Sequence, residues 1–169
     1  MADLLMAESK RSGYAAKQAW YNGTEDGRSM SAKDLYHEPF VRALQKDGWQ
    51  ITADPLIVPF GKKDLLIDLG AERMLAAERN GKRIAVEIKS FLSRSPIQDL
   101  KEALGQFILY SDALTDSPSD SDRTLYLAVR QQTYEALFVE EAGQRLLARG
   151  RARLIVFDAD EELILQWTS

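Results

Sequence analysis

Cysteine is absent from the 169 residues, and histidine occurs once. A disulfide framework and a thiolate zinc site are therefore excluded, as is any multi-histidine metal centre. No apolar run approaches the roughly 20 residues that span a bilayer. The N-terminus, Met1-Ala2-Asp3-Leu4-Leu5, lacks the basic and long apolar stretches of a secretion signal. A cytoplasmic protein with no membrane partner is expected. Positive charge is not in excess either: 22 Lys and Arg against 26 Asp and Glu leave a net charge of -4. That argues against a chain that coats nucleic acid by bulk electrostatics, because such binders present broad basic surfaces.

What is present is 45% hydrophobic content, enough to bury one core. Residues 1–29 sustain neither the helical nor the strand period, which predicts a flexible N-terminal extension over 1–30 and a single domain over 31–169. From about Ala32 to Lys46 the spacing of Leu35, Tyr36, Phe40, Ala43 and Leu44 predicts a helix that stops at Gly48. Pro39 must open its regular part or kink it. Trp49–Thr52 and Leu56–Phe60 read as extended, interrupted by Asp54-Pro55. Met74–Glu78 and Arg83–Phe91 flank Asn80-Gly81, the dipeptide that a type I′ hairpin turn demands. Ser95-Pro96 predicts a capped helix to about Leu114, with Leu100, Leu104, Phe107, Ile108 and Ser111 on one stripe. Asp116–Asp122 reads as a surface loop. It is followed by a strand at Thr124–Arg130, a helix at Thr133–Arg149, and short strands at Arg153–Phe157 and Leu163–Trp167.

The chemistry concentrates around the hairpin. In Ile84-Ala85-Val86-Glu87-Ile88-Lys89, strand alternation sends Ile84, Val86 and Ile88 to one face and Glu87 and Lys89 to the other. Asp68 lies nineteen positions earlier (87 minus 68), where a sheet register can bring its carboxylate beside Glu87. Two hard oxygen ligands suit Mg²⁺ or Mn²⁺, and Lys89 completes the set. Phosphodiester hydrolysis needs an activated water and stabilisation of charge growing on phosphoryl oxygens. A carboxylate-held metal and a nearby ammonium perform those tasks together.

Asp followed by Glu-x-Lys across a hairpin resembles the signature of the PD-(D/E)xK nucleases, as does the order of elements. The competing structural reading is a solvated cross-strand charge face. On the next helix, Gln106 and Tyr110 stand four apart and share a face. They resemble the Gln-x-x-x-Tyr helix of RecB-like nucleases; the plain alternative is the polar flank of an amphipathic helix. His37 and Glu38 are further candidates, with a half-exposed structural histidine as the simpler reading. Lys62, Lys63, Lys82, Arg83 and Arg94, and separately Arg145, Arg149, Arg151 and Arg153, are candidate phosphate contacts or plain soluble surface.

A narrower resemblance follows from Leu66-Ile67-Asp68-Leu69-Gly70-Ala71-Glu72, Leu75-Ala76-Ala77-Glu78, Ile84-Ala85-Val86-Glu87-Ile88-Lys89-Ser90-Phe91, Lys46-Asp47-Gly48-Trp49, Ala103-Leu104-Gly105-Gln106-Phe107 and Arg123-Thr124-Leu125-Tyr126-Leu127-Ala128-Val129. These blocks resemble the XisH family, the fdxN element excision controlling factors, from about Ser31 to the C-terminus. Met30-Ser31-Ala32-Lys33-Asp34 is similar to the usual family start, so the first 29 residues read as additional.

The resemblance implies an α/β fold with a restriction-endonuclease-like core: a mixed central sheet with a β-hairpin, flanked by helices. It also implies a role in excising a DNA element, with DNA and a small XisI-like protein as partners, and it is compatible with a homo-oligomer. Carried over by position, the catalytic set is Asp68, Glu87, Lys89, Gln106 and Tyr110, with Asp68 and Glu87 as the Mg²⁺ or Mn²⁺ ligands. The alternative it leaves open is a non-catalytic regulator on the same fold that binds XisI, DNA or both.

Overall fold

The computed structural model describes residues 35–61, the backbone of 63–64, and 74–168. Asp68, Lys62, the N-terminal extension and the predicted helix start at 32–34 lie outside the described residues.

Helix α1 (His37–Lys46) follows a turn at Leu35-Tyr36. Pro39 sits in its first turn, where a backbone N–H has no intrahelical acceptor, so the proline opens the helix instead of kinking it. Gly48, at φ +87, ends it as expected. Strands β1 (Gln50–Ala53), β2 (Pro59–Phe60) and β3 (Lys63–Asp64) precede the hairpin of β4 (Met74–Arg79) and β5 (Lys82–Ile88). Asn80 and Gly81 both take positive φ, 51° and 76°, the conformation a two-residue I′ turn requires. Helix α2 spans Pro96–Asp116 behind its cap, where Ser95 Oγ accepts from the Gln98 N–H at 3.3 Å. Then come β6 (Thr124–Arg130), α3 (Gln131–Leu137), α4 (Glu141–Ala148), β7 (Leu154–Asp158) and β8 (Leu163–Trp167).

Six of the strands form one mixed sheet in the order β1-β4-β5-β6-β7-β8. Its centre, β5-β6-β7, is parallel, and the flanking pairs are antiparallel. Parallel pairing needs crossovers, which α2 supplies between β5 and β6, and the α3–α4 pair between β6 and β7. One face of the sheet packs with Ala103, Phe107, Tyr110 and Leu114 of α2, and the other with Phe40 and Leu44 of α1. Phe40 meets Phe157 edge-on at 5.0 Å between ring centroids. The expected mixed sheet, hairpin and flanking helices are therefore present.

Two local expectations need correction. The buried face of α2 runs through Asp99, Ala103, Phe107, Tyr110 and Leu114, whereas Ile108 is 53% exposed. The stripe is thus rotated from the one that hydrophobicity alone picks out, because Ala and Tyr, and not only Leu and Ile, fill the space against the sheet.

The helix expected over Thr133–Arg149 is two helices, broken at Phe138–Glu140. They pack so closely that a Cβ on Gly143 would stand 2.2 Å from the Leu137 carbonyl oxygen and 2.5 Å from Phe138 Cα. Gly143→Ala must therefore push backbone aside. We expect it to destabilise the fold by about 1–3 kcal/mol in urea denaturation; a loss under about 0.5 kcal/mol would show that the helix pair yields easily.

The segment Asp116–Asp122 is the expected surface loop, apart from Asp116, which ends α2, and it encloses Asp120, which is 3% exposed. Asp120 accepts from Arg123 Nε at 2.7 Å, from Ser119 Oγ at 2.7 Å and from Ser117 Oγ at 3.2 Å. Arg123 also reaches Glu78 (3.4 Å) and the Ile84 carbonyl (3.3 Å), tying the loop to the hairpin, while Arg83 bridges Glu78 (2.9 Å) and Asp122. Burial alone would raise the Asp120 pKa, but hydrogen bonds from Arg123, Ser119 and Ser117 and the Arg123 charge outweigh it and hold the carboxyl below its ordinary value.

A depressed folded pKa gives stability that is present above the ordinary carboxylate range and is lost as pH falls through the depressed value. Asp120→Asn should therefore cost about 1–3 kcal/mol at neutral pH. The gap to the parent chain should narrow in urea melts taken below about pH 4. A gap that stays constant into acid would contradict this account.

Candidate functional site

Strand β5 lies inside the sheet, between β4 and β6, with a helix on each face. The predicted alternation holds: Ile84, Val86 and Ile88 belong to the cluster under α1. Glu87 and Lys89 take the opposite parity, with Ala85, toward α2. That face is closed to water. Glu87 is 0% exposed and Lys89 is 7% exposed, so the solvated charge face is not what the strand forms.

Glu87 sits opposite Met74 on β4 and Leu127 on β6, both core residues. Lys89 continues the parallel ladder, its N–H donating to the Ala128 carbonyl at 3.1 Å. A carboxylate and an ammonium taken out of water cost several kcal/mol each unless their charges and hydrogen-bonding groups are met nearby.

Helix α2 provides part of that environment. Lys89 Nζ lies 3.5 Å from Gln106 Oε1 and 3.9 Å from a carboxylate oxygen of Glu102. Glu102 and Gln106 are one helical turn apart, so both project along the same flank. Tyr110, a further turn on, is 1% exposed in the core layer between α2 and the sheet. The structure thus brings Gln106 to Lys89 and puts Tyr110 on the packed side of the same helix. Glu102 was missed in the sequence, although its spacing of four from Gln106 was available as a signal.

His37 and Glu38 separate cleanly. His37 is buried, 4% exposed, with Nε2 2.6 Å from Asp54 Oδ2, whereas Glu38 is exposed and faces Arg42 at 3.8 Å. Asp54 follows β1, whose Ala53 pairs with Ala76 of β4, so the pair stands at the sheet end where β5 finishes. Asp54 Oδ1 is buried there and meets no hydrogen-bond partner among the described residues.

At the same end, the Arg130 guanidinium lies 4.1 Å from the centroid of Tyr36 and donates to the Ser90 carbonyl at 3.3 Å. Neither Asp54 nor Arg130 was picked out in the sequence, since each is joined to the site only through the sheet register.

The basic candidates divide as well. Arg83 is consumed by Glu78 and Asp122, and Lys82 is exposed beside it at the turn. Both stand at the far end of β5 from Lys89, about 20 Å away at ~3.3 Å per residue. They cannot serve a group held by Glu87. Arg94, Arg149, Arg151 and Arg153 are exposed, and Arg145 pairs with Glu141.

Among the described residues, no group of three or more His, Asp or Glu is arranged to hold a metal ion. Of the expected pair, Asp68 lies outside the described residues. Glu87 offers the hard oxygen donors that Mg²⁺ or Mn²⁺ prefers, on a strand where it is fully enclosed. The donor chemistry fits such an ion. Among the described residues, no helix is long and apolar enough to cross a membrane.

A family model described as XisH protein matches residues 30–165. An XisH family protein from Nostoc punctiforme PCC 73102, known from its crystal structure, is similar at 40% identity and a TM-score of 0.72. The match covers 80% of this chain and all of that one. The crystal structure of a fdxN element excision controlling factor protein from Anabaena variabilis is similar at 42% identity, also with a TM-score of 0.72, covering 80% of this chain and 99% of that one. No curated protein matches.

The unequal settings of the two neighbouring residues of α1 yield a test. His37→Ala should cost about 1–3 kcal/mol in urea denaturation because it strands Asp54. Glu38→Ala should stay within about 0.5 kcal/mol of the parent. Equal effects would mean that the His37–Asp54 contact contributes nothing.

Proposed function

The chain belongs to the XisH family, and from that membership we propose that it controls excision of a DNA element, acting as a metal-dependent nuclease on a restriction-endonuclease-like core. The observation that carries the reading is the placement of Glu87 and Lys89 side by side on the enclosed face of a central strand, with Gln106 at Lys89. A protein that used β5 only as core would have no use for two charges where Ala85 and Leu127 show that apolar side chains fit. A relative bears the name fdxN element excision controlling factor, and the proposed DNA substrate follows that name.

Asp68 and Glu87 would hold Mg²⁺ or Mn²⁺. The ion's contribution, when bound, is to lower the pKa of a water and to polarise a phosphoryl oxygen. The chain's own groups do the rest. Lys89 presents its ammonium to charge developing on a phosphoryl oxygen. Gln106 fixes the direction of Lys89 by accepting from Nζ, and Tyr110 packs the helix that carries Gln106 against the sheet. In this reading the PD-(D/E)xK pattern is Asp68 with Glu87-Ile88-Lys89, and the small XisI-like partner completes or unmasks the site.

A second reading, that of a non-catalytic regulator on the same fold, is favoured by the total enclosure of Glu87 and by the net charge of -4. It expects a stable complex with the small partner that forms equally well when Glu87 is replaced.

Metal-dependent nicking of DNA by the protein with its partner is the test. Glu87→Ala or Asp68→Ala should lower it at least about a hundredfold while circular dichroism shows the fold retained. Cutting at parental rates by both variants would sink the nuclease reading. Absence of metal-dependent cutting, together with a complex indifferent to Glu87, would favour the regulator.

A further inference from the structure

We infer that Arg130 is a DNA-phosphate contact beside the Lys89 site, an inference that rests on the nuclease-fold, DNA-binding reading above. Arg130 ends β6, and the parallel register Ile88↔Ala128 carries on to set it beside Ser90, one residue past Lys89. Its guanidinium donates to the Ser90 carbonyl at 3.3 Å and stacks on Tyr36, 4.1 Å from the ring centroid. By strand alternation it approaches from the α1 face, with Ala128, whereas Lys89 approaches from the α2 face. Two cations thus straddle the exit of β5, at the carboxyl end of parallel strands, where open α/β sheets bind ligands.

Arg130 also lacks a counter-charge. The other half-buried arginines among the described residues, Arg79, Arg83 and Arg123, each have a carboxylate partner. Arg130 has none among the described residues, where its guanidinium meets the Ser90 carbonyl and the Tyr36 ring. A partly desolvated cation held in place by an aromatic face and a carbonyl, yet short of a counter-charge, calls for an oxyanion. A phosphate of a strand lying across the end of β5 supplies it. Stacking on Tyr36 fixes the plane of the guanidinium beforehand, so little freedom is lost on binding.

The experiment is the salt dependence of binding between the full chain and a short DNA duplex, followed by fluorescence anisotropy without divalent metal. Arg130→Gln should weaken binding alike across duplex sequences and reduce the slope of log K against log salt by about 0.9, the share of one phosphate. Arg130→Lys should keep the slope. Lower thermal stability with an unchanged slope would make Arg130 purely structural and overturn the inference.

Should Arg130→Gln fail to fold, the parent chain decides. The Arg130 Nε–H resonance should shift on titration with the duplex, and a resonance that does not move overturns the inference. If the parent chain shows no salt-dependent DNA binding at all, the underlying reading fails and this inference falls with it. A parent that binds with the same slope as Arg130→Gln defeats the Arg130 contact alone.

Discussion

Placing Glu87 and Lys89 on a strand that is covered on both faces sets the terms for the surrounding structure. Water cannot solvate Glu87, and it reaches Lys89 only at the margin. Their charges must therefore be answered by groups the fold brings in from elsewhere. Helix α2 answers part of this demand, passing over the sheet with Glu102 and Gln106 on the flank nearest Lys89. The rest of α2 is held by Phe107, Tyr110 and Leu114 in the core. Position and polarity are thereby divided along one helix, with apolar residues anchoring it and polar ones serving the strand beneath.

The two ends of the sheet differ in kind. At the hairpin end, Asp120, Arg123, Glu78, Arg83 and Asp122 pair among themselves and lock the 117–123 loop to β4 and β5. At the other end the polar groups are incompletely answered. Among the described residues, Asp54 Oδ1 and Arg130 Nε have no hydrogen-bond partner, although each residue is tethered through its other atoms. A network closed on itself has little left to offer a ligand, whereas an open one retains donors and acceptors. The contrast separates a closed polar network from an open one.

Elements governed by local chemistry were legible in the sequence. Asn80-Gly81 forced the hairpin, Ser95-Pro96 started α2 within a residue, and the alternation from Ile84 to Lys89 assigned faces correctly. What could not be read depended on contacts between distant segments. The break between α3 and α4 rests on the approach of Gly143 to Leu137, which no periodicity records. The enclosure of Asp120 rests on Arg123 folding back over its own loop, and Ser and Asp otherwise signal exposure. At the candidate site, Glu87, Lys89 and Gln106 followed from spacing. Asp54 and Arg130 required the register of the whole sheet, and Asp68 lies outside the described residues.

The two neighbours of β5 are joined to it at very different cost in chain entropy. The β4–β5 hairpin closes over two residues. The β5–β6 ladder joins Ile84 to Thr124, forty positions apart (124 minus 84), with α2 crossing the sheet between them. Glu87 stands on that second ladder opposite Leu127. The seclusion of its carboxylate therefore depends on the longest-range pairing that β5 makes, and loosening α2 would open it to water before the hairpin gave way.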